Sequence, residues 1–115
     1  MDTEIELLRR AYRAFNEKDI EGVLANFGRD VDWPNAWEGG RVVGHAAVRE
    51  YWTRQFAEID PQVEPVGFEA LSDGRVRVQV RQRVRDRGRN VLADGLVAHV
   101  YSVRDGLVER MEVED

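Results

Sequence analysis

The most regular stretch of this sequence is RVRVQVRQRVRD at residues 75–86, where apolar and polar side chains alternate. A period of two residues is typical of a strand with one buried and one solvated face. The valines share one face with Gln82, and the arginines share the other face with Gln79. Because such a strand must be covered on its apolar side, the rest of the chain has to supply the cover.

Further strands are predicted on both sides of this stretch. Residues 63–71 precede it, residues 91–103 and 107–113 follow it, and each gap is a short polar turn that contains glycine. Strands joined by short turns pair with their neighbours. We therefore predict an antiparallel meander of four strands, preceded by a short strand at residues 30–34 that ends at a proline.

The first half of the chain shows the period of helices instead. A capping box opens a predicted helix over residues 3–16. A short second helix is predicted over residues 19–27, and Gly28 is expected to end it. A third is predicted over residues 45–59, with Pro61 as its stop.

Together these elements predict an α+β fold in which residues 1–115 form one domain. Three N-terminal helices would pack in the concave face of a curved, mainly antiparallel sheet, because no other segment is available to cover the apolar side. Long twisted strands curl, and three helices do not fill the space inside a curled sheet. We therefore expect an internal cavity with apolar walls.

The composition excludes several classes of protein. Hydrophobic residues make up 43% of the chain, and 22 acidic residues against 17 basic ones give a net charge of -5, which disfavours nucleic-acid and anionic-membrane partners. No apolar run approaches the roughly 20 residues that span a bilayer. There is no cysteine, the histidines lack metal-ligand spacing, and the acidic start does not resemble a signal peptide. We expect a cytoplasmic protein without a metal or cofactor.

His99 is the main candidate for chemistry. On its predicted strand it shares a face with Val97 and Tyr101, so that an imidazole lies among apolar side chains. One interpretation is a core histidine with one hydrogen-bond partner. The other is a general acid or base, because histidine titrates near neutral pH and burial tunes it.

Two further residues are catalytic candidates beside His99. Gln82 is a polar residue on the valine face of the adjacent strand, where it would orient the imidazole or hold a ligand. Asp94 precedes Gly95, and a bulge there would turn the carboxylate inward to pair with His99. Strict alternation places Asp94 on the outer face instead.

Aromatic side chains are expected to line the cavity. Three tryptophans occur before residue 53, and such a cluster is either plain core or the wall of a ligand site. Trp37 favours a ligand site, because it lies in a loop where bulk is rarely needed for packing. The expected lining comprises Tyr12, Phe15, Trp33, Trp37, Trp52, Phe56 and Tyr101.

Four segments resemble the nuclear transport factor 2-like superfamily, in particular its SnoaL-like and ketosteroid-isomerase-like branches. They are AFNEKDIEG at 14–22, VDWP at 31–34, GHAAVREYW at 44–52 and VYSVRDGLV at 100–108, and the resemblance covers essentially the whole chain. It implies a cone-shaped, cystatin-like roll. The superfamily includes isomerases, cyclases, dehydratases, epoxide hydrolases and non-enzymatic binders, so the resemblance specifies the fold better than the function.

The resemblance also implies where a site would lie. The catalytic aspartate of ketosteroid isomerases would fall at Trp33, with Asp32 one residue away, and their oxyanion tyrosine would fall near Ala11. Their second oxyanion acid would fall at His99. Steroid isomerase chemistry is therefore not expected. The comparison implies that His99 faces the cavity, with Met111 beside it across the hairpin as a further residue of the ligand-binding lining.

We expect a protein that binds a small hydrophobic or aromatic molecule, with proton-transfer chemistry of an isomerase, cyclase or dehydratase in which His99 is the acid or base. The alternative is a non-catalytic dimeric ligand-binding or protein-interaction module. The outer arginine face suits a homodimer formed through the sheet, as in many members of the superfamily. An epoxide-hydrolase-like reaction would need an arginine between two carboxylates, and the inward faces supply none.

Overall fold

A computed structural model describes residues 2–114. The helices are α1 (Asp2–Asn16), α2 (Ile20–Leu24) and α3 (His45–Glu58), and the strands are β1 (Phe27–Pro34), β2 (Arg41–Val43), β3 (Ile59–Ala70), β4 (Val76–Asp86), β5 (Val91–Arg104) and β6 (Leu107–Glu114). The strands form one curved sheet in the order β2-β1-β6-β5-β4-β3, and every pair is antiparallel except β1 with β6. The predicted α+β fold, with three helices packed against a mainly antiparallel sheet, is confirmed.

Strand β4 organises the sheet as its alternation predicts. Val76, Val78 and Val80 are buried beneath the helices, whereas the arginines of the same strand lie on the outer face. Val78 lies opposite Phe68 on β3 and opposite His99 on β5. This register places the imidazole of His99 on the inner face of the sheet.

The start of β1 differs from the sequence prediction. Helix α2 ends at Leu24, and Phe27, predicted to be helical, begins β1 instead. Phe27 pairs with Val108 in the parallel ladder, and the N–H of Val108 donates to the carbonyl of Asn26 at 2.9 Å. Gly28 is not in the left-handed region. A partner about 80 residues away in the sequence therefore decides this segment, and no local pattern contains it.

The boundaries around α3 also differ from the prediction. The loop predicted before this helix contains the short strand β2, and β3 begins at Ile59, ahead of the proline expected to follow the helix. Pro61 lies within β3, which is an edge strand with a single neighbour. An edge strand tolerates proline because one of its sides has no partner strand. A backbone N–H that is missing on that side costs the sheet no hydrogen bond.

Helix α1 is fixed to the edge strand at its C-terminal end. The side-chain amide of Asn16 donates to the carbonyl of Val63 at 2.7 Å and accepts from the N–H of Val63 at 2.8 Å. Tyr12, one turn earlier, is thereby held over the inner face of the sheet. Between residues 2 and 114 no helix is long and apolar enough to cross a membrane.

Candidate ligand site

Three buried polar side chains form a hydrogen-bonded chain between α1 and β5. The hydroxyl of Tyr101 donates to the hydroxyl oxygen of Tyr12 at 2.8 Å, and the hydroxyl of Tyr12 lies 2.8 Å from Nδ1 of His99. The hydroxyl of Tyr12 has one hydrogen to donate and a second lone pair to accept with, so its bond to Nδ1 fits either tautomer of the neutral imidazole. In the tautomer whose Nδ1 accepts from Tyr12, the ring proton resides on Nε2.

Burial keeps all three groups uncharged at neutral pH. It lowers the pKa of His99 from 6.5 to about 4. Burial also raises the pKa of the Tyr12 hydroxyl well above its usual value, with a contribution from neighbouring Tyr101, and raises that of Tyr101. His99 is thus an uncharged imidazole at pH 7 rather than a base that takes up protons there.

A small cavity lies against this chain. Its volume is about 40 Å³, and its walls are Ala11, Tyr12, Phe15, Val23, Phe27, Trp33, Trp52, Val63, His99 and Tyr101. The space has room for about one or two water molecules. This space is smaller than the cavity that a curled sheet with three helices suggests.

Aromatic rings pack closely around Trp52 on the inner side of the sheet. The ring of Trp52 lies 5.5 Å from that of Phe15, 5.8 Å from that of Phe27 and 5.6 Å from that of Trp33, measured between centroids. Trp52 is 1% exposed, whereas Phe15 and Trp33 are half-buried. Phe15 and Trp33 are therefore the two aromatic rings of the wall that also reach solvent.

Two of the residues expected in the lining are buried next to the cavity without forming its wall. Phe56 packs against the rings of Phe15 and Trp52, with centroids at 5.3 and 6.3 Å. Met111 lies opposite Tyr101, whereas the residue opposite His99 on β6 is Val113. Met111 is thus beside the hydrogen-bonded chain but one pair away from the imidazole.

The two residues expected to assist His99 lie elsewhere. Gln82 is on the inner face, but it is four residues along β4 from Val78, the partner of His99, which corresponds to about 13 Å. Asp94 is five residues from His99 and therefore on the opposite face, where it pairs with Arg83 at 3.1 Å. The ladder has no bulge at Asp94, so the inward orientation that would pair it with His99 is wrong.

Trp37 is also outside the site. It is 40% exposed and lies in the loop between β1 and β2, away from the wall of the cavity. The loop is held by Asn35, whose side chain accepts from the N–H of Glu38 at 2.7 Å and donates to the carboxylate of Glu38 at 3.0 Å. Local polar contacts therefore shape this loop, and the indole projects from it.

Sequence reasoning missed Phe27 as a wall residue, because it assigned this position to a helix. Phenylalanine is enriched in β-strands, and this propensity is the local signal that favours a strand at Phe27. The linkage of Tyr12, Tyr101 and His99 was also missed, since it depends on how α1 sits over β5. Residues 2–114 contain no group of three histidine or acidic side chains placed to hold a metal ion.

A helix-covered, curved sheet around a small internal cavity defines the nuclear transport factor 2-like class of proteins. Within this class the family model of the SnoaL-like domain matches residues 8–111, and the chain belongs to that family. A search of the curated proteins finds no match.

Solved structures agree with this assignment. TerC, co-crystallised with polyporic acid, is 28% identical over 97% of this chain and 90% of its own, with a TM-score of 0.84. A nuclear transport factor 2-like protein of unknown function from Burkholderia pseudomallei is 25% identical over 99% and 91%, with a TM-score of 0.85. A Mycobacterium tuberculosis protein in complex with estradiol-17β-hemisuccinate shares the fold at 18% identity over 96% and 92%, with a TM-score of 0.82.

Proposed function

We propose that this protein binds a small, flat hydrophobic or aromatic molecule between α1, α3 and the sheet, and that neutral His99 donates its Nε2–H to an oxygen of that molecule. The observation that carries the proposal is the chain from Tyr101 through Tyr12 to Nδ1 of His99. It leaves Nε2 of His99 without a hydrogen-bond partner among residues 2–114, beside a largely apolar wall.

No group among residues 2–114 hydrogen-bonds to Nε2 of His99, and Nε2 is not fully enclosed. A donor held in an apolar site without a partner costs free energy, which a ligand oxygen would recover. Apolar walls with one or two placed polar groups are the usual design of small-molecule sites.

A ligand larger than water requires the cavity to widen. Phe15 and Trp33 combine a place in the wall with partial exposure, so their side chains are the ones free to move aside. TerC, at 28% identity, was co-crystallised with a small molecule, polyporic acid, which supports a ligand in this fold.

The same geometry defines the reaction that the site would assist. A neutral imidazole that donates to a carbonyl oxygen stabilises the enolate formed when a neighbouring carbon loses a proton. This is the proton-transfer chemistry of isomerases, cyclases and dehydratases. The cavity wall contains no carboxylate, and His99 with a pKa of about 4 is a poor base at pH 7, so binding is the primary function that we propose.

Binding of 2-acetylnaphthalene and 2-ethylnaphthalene tests this function. The two probes match in size, and only the first carries a carbonyl oxygen. We expect the ketone to bind about tenfold more tightly, since one buried hydrogen bond contributes about 1 to 1.5 kcal/mol. Quenching of Trp33 and Trp52 fluorescence, checked by calorimetry, measures both constants.

Variants separate the parts of the proposal. His99→Phe should abolish the preference for the ketone, whereas Tyr51→Phe, which removes a buried hydroxyl outside the cavity wall, should preserve it. Failure of both probes to bind would contradict the ligand site. If both probes bind the wild type equally, the hydrogen bond from His99 is contradicted, whereas the ligand site itself is not.

A dimer formed through the outer face is a second candidate, and exposed leucines favour it. Leu96 is 70% exposed on the face of β5 opposite to His99, and Leu92, at the register shift near the start of β5, is 57% exposed. Large apolar side chains exposed on a sheet are the kind of surface that a partner covers. This is the non-catalytic dimeric or protein-interaction alternative, and it is compatible with a ligand in the cavity.

Light scattering at about 50 μM protein tests this second candidate, because the dimer population rises with protein concentration. We expect twice the mass of one chain for the wild type and the monomer mass for Leu96→Glu. Val43→Glu, which changes an exposed residue of edge strand β2, should remain dimeric. A monomeric wild type would contradict the dimer.

A further inference from the structure

A free strand edge lies along the first half of β5. Strand β6 pairs only with residues 98–104 of β5, while β4 lies along the other side. Over residues 91–97, one side of β5 therefore has no partner strand within residues 2–114. We call this segment the β5 edge. The backbone N–H and C=O groups on its open side can pair with another strand.

The strands at the two ends of the sheet are protected from such pairing. On β3, Pro61 and Pro65 carry no N–H, and the side chain of Asn16 binds both backbone groups of Val63. Strand β2, at the other end, has only three residues. The β5 edge contains no proline, and six of its seven residues are exposed. It is therefore well suited to accept a further strand.

The sequence of the β5 edge is nearly the same in both directions. Residues 91–97 read VLADGLV, and the reverse order differs only in the exchange of alanine and glycine. Two such segments, paired antiparallel about a two-fold axis at Asp94, place like side chains opposite each other: Val91 with Val97, Leu92 with Leu96, and Ala93 with Gly95. Apolar pairs across a ladder stabilise it, and a self-complementary segment suits a two-fold dimer.

The backbone and the exposure of the β5 edge also suit this pairing. The register shift against β4 lies at Leu92, and the pairing with β4 is continuous from Ala93 to Val97. Val91, Leu92 and Leu96 are each more than half exposed. A second copy would therefore meet a regular strand and cover apolar side chains that water now contacts.

The charge at the axis is offset within each chain. Two Asp94 carboxylates would lie opposite each other, and like charges in that position destabilise a ladder. Asp94 lies 3.1 Å from Arg83 and 3.7 Å from Arg81, both on the neighbouring strand β4. Each carboxylate thus reaches the axis together with two guanidinium groups, which reduce the repulsion.

We infer that two copies of this chain pair antiparallel through the β5 edge, with Asp94 at the two-fold axis, so that their sheets join into one. The inference rests on the dimer proposed above as the second candidate function, and it assigns backbone pairing as the contact. Leu92 and Leu96, which favour that dimer, then lie in the joined ladder.

Disulfide cross-linking tests the inference, because the chain has no cysteine and one introduced thiol can only join two chains. Asp94→Cys places two thiols opposite each other, with Cα atoms about 5 Å apart, which a disulfide spans. We expect a covalent dimer as the main product of oxidation by oxidised glutathione. Leu96→Cys is the matched control, since its two copies would lie about 14 Å apart and should not cross-link.

A mixed pair of variants distinguishes the β5 edge from the outer face. Ala93 and Gly95 lie opposite Val84 and Gln82, on the inner side of the sheet. Chains with Ala93→Cys should cross-link to chains with Gly95→Cys, whereas packing of two outer faces would keep these thiols apart. A Cβ at Gly95 meets no atom within 4 Å, and Gly95 is not in the left-handed region, so this substitution is compatible with the fold.

Amide hydrogen exchange tests the unmodified protein. Within residues 93–97, the N–H groups that point away from β4 gain partners only when the β5 edge is paired. We expect them to exchange about tenfold more slowly at about 200 μM than at about 2 μM protein. The amides of the turn at residues 72–74 should exchange equally at both concentrations.

The outcomes separate this inference from the proposals above. If the wild type is monomeric, the dimer and the inference both fail, and the cavity proposal stands. If the wild type is dimeric but the mixed pair does not cross-link, or the amides of residues 93–97 exchange equally at both concentrations, the inference alone is wrong. Cross-linking of Leu96→Cys in preference to Asp94→Cys would contradict the axis at Asp94.

Discussion

Replacing Trp52 by alanine is expected to lower the free energy of unfolding by about 3 to 5 kcal/mol, the usual cost of removing a fully buried large ring. Trp52 is 1% exposed and contacts the rings of Phe15, Phe27, Trp33 and Phe56, so its loss opens a cavity that several neighbours must share. Urea unfolding followed by circular dichroism measures the change.

Trp37→Ala is the matched control for this experiment. It deletes the same side chain from a loop position that is 40% exposed, where no cavity forms, and its cost should be about 1 kcal/mol or less. Similar losses for both variants would contradict the packing described for the inner face of the sheet.

Lowering the pH from 7 to 5 is expected to reduce the free energy of unfolding by about 2 kcal/mol through His99. The pKa of His99 is about 4 in the folded protein, against an ordinary value of 6.5. Between these values the unfolded chain binds a proton that the folded chain excludes. Stability is therefore full above about pH 6.5, falls as the pH drops towards 4, and does not fall further through this group.

His99→Gln isolates this contribution. The amide oxygen of glutamine can accept from Tyr12, and glutamine does not titrate. Between pH 7 and 5 the free energy of unfolding of the variant should therefore fall by about 2 kcal/mol less than that of the wild type. The carboxylates are the same in both proteins and cancel in the comparison. Parallel curves for the two proteins would show that His99 titrates with an ordinary pKa and is not buried.

The meander could be predicted from the sequence because the alternation and the turn residues that define it lie within a few residues of one another. The alternation of residues 75–86 and the glycine turns around it define β4 to within one residue. The start of β1 could not be predicted in this way, since Phe27 is drawn into a strand by the distant Val108. The position of Pro61 inside a strand could not be predicted for a related reason. Only the order of strands in the sheet shows that β3 is an edge strand, where proline is tolerated.

The site was predictable to the extent that it depends on strand periodicity. Alternation places His99 and Tyr101 on one inner face, which the register observed for β5 matches. Alternation fixes a face but not a position along it, which is why Gln82 lies on the inner face and still far from the imidazole. For Asp94 the sequence left two orientations open, and the regular ladder selects the outer one.

The volume of the cavity could not be predicted from the sequence. It is the small difference between the space inside the sheet and the rings that fill it, and it depends on the rotamers of Phe15, Trp33 and Trp52. The hydrogen bond from Tyr12 to His99 likewise depends on the placement of α1, which the side chain of Asn16 fixes across 47 residues.

The most direct test of the account is a long-range proton–nitrogen NMR spectrum of His99, recorded between pH 5 and 8 with and without 2-acetylnaphthalene. The account predicts a neutral imidazole with its proton on Nε2 over this whole range, and a change of the Nε2–H signal when the ketone binds. A proton on Nδ1, or an imidazole that is charged at pH 6, would contradict it.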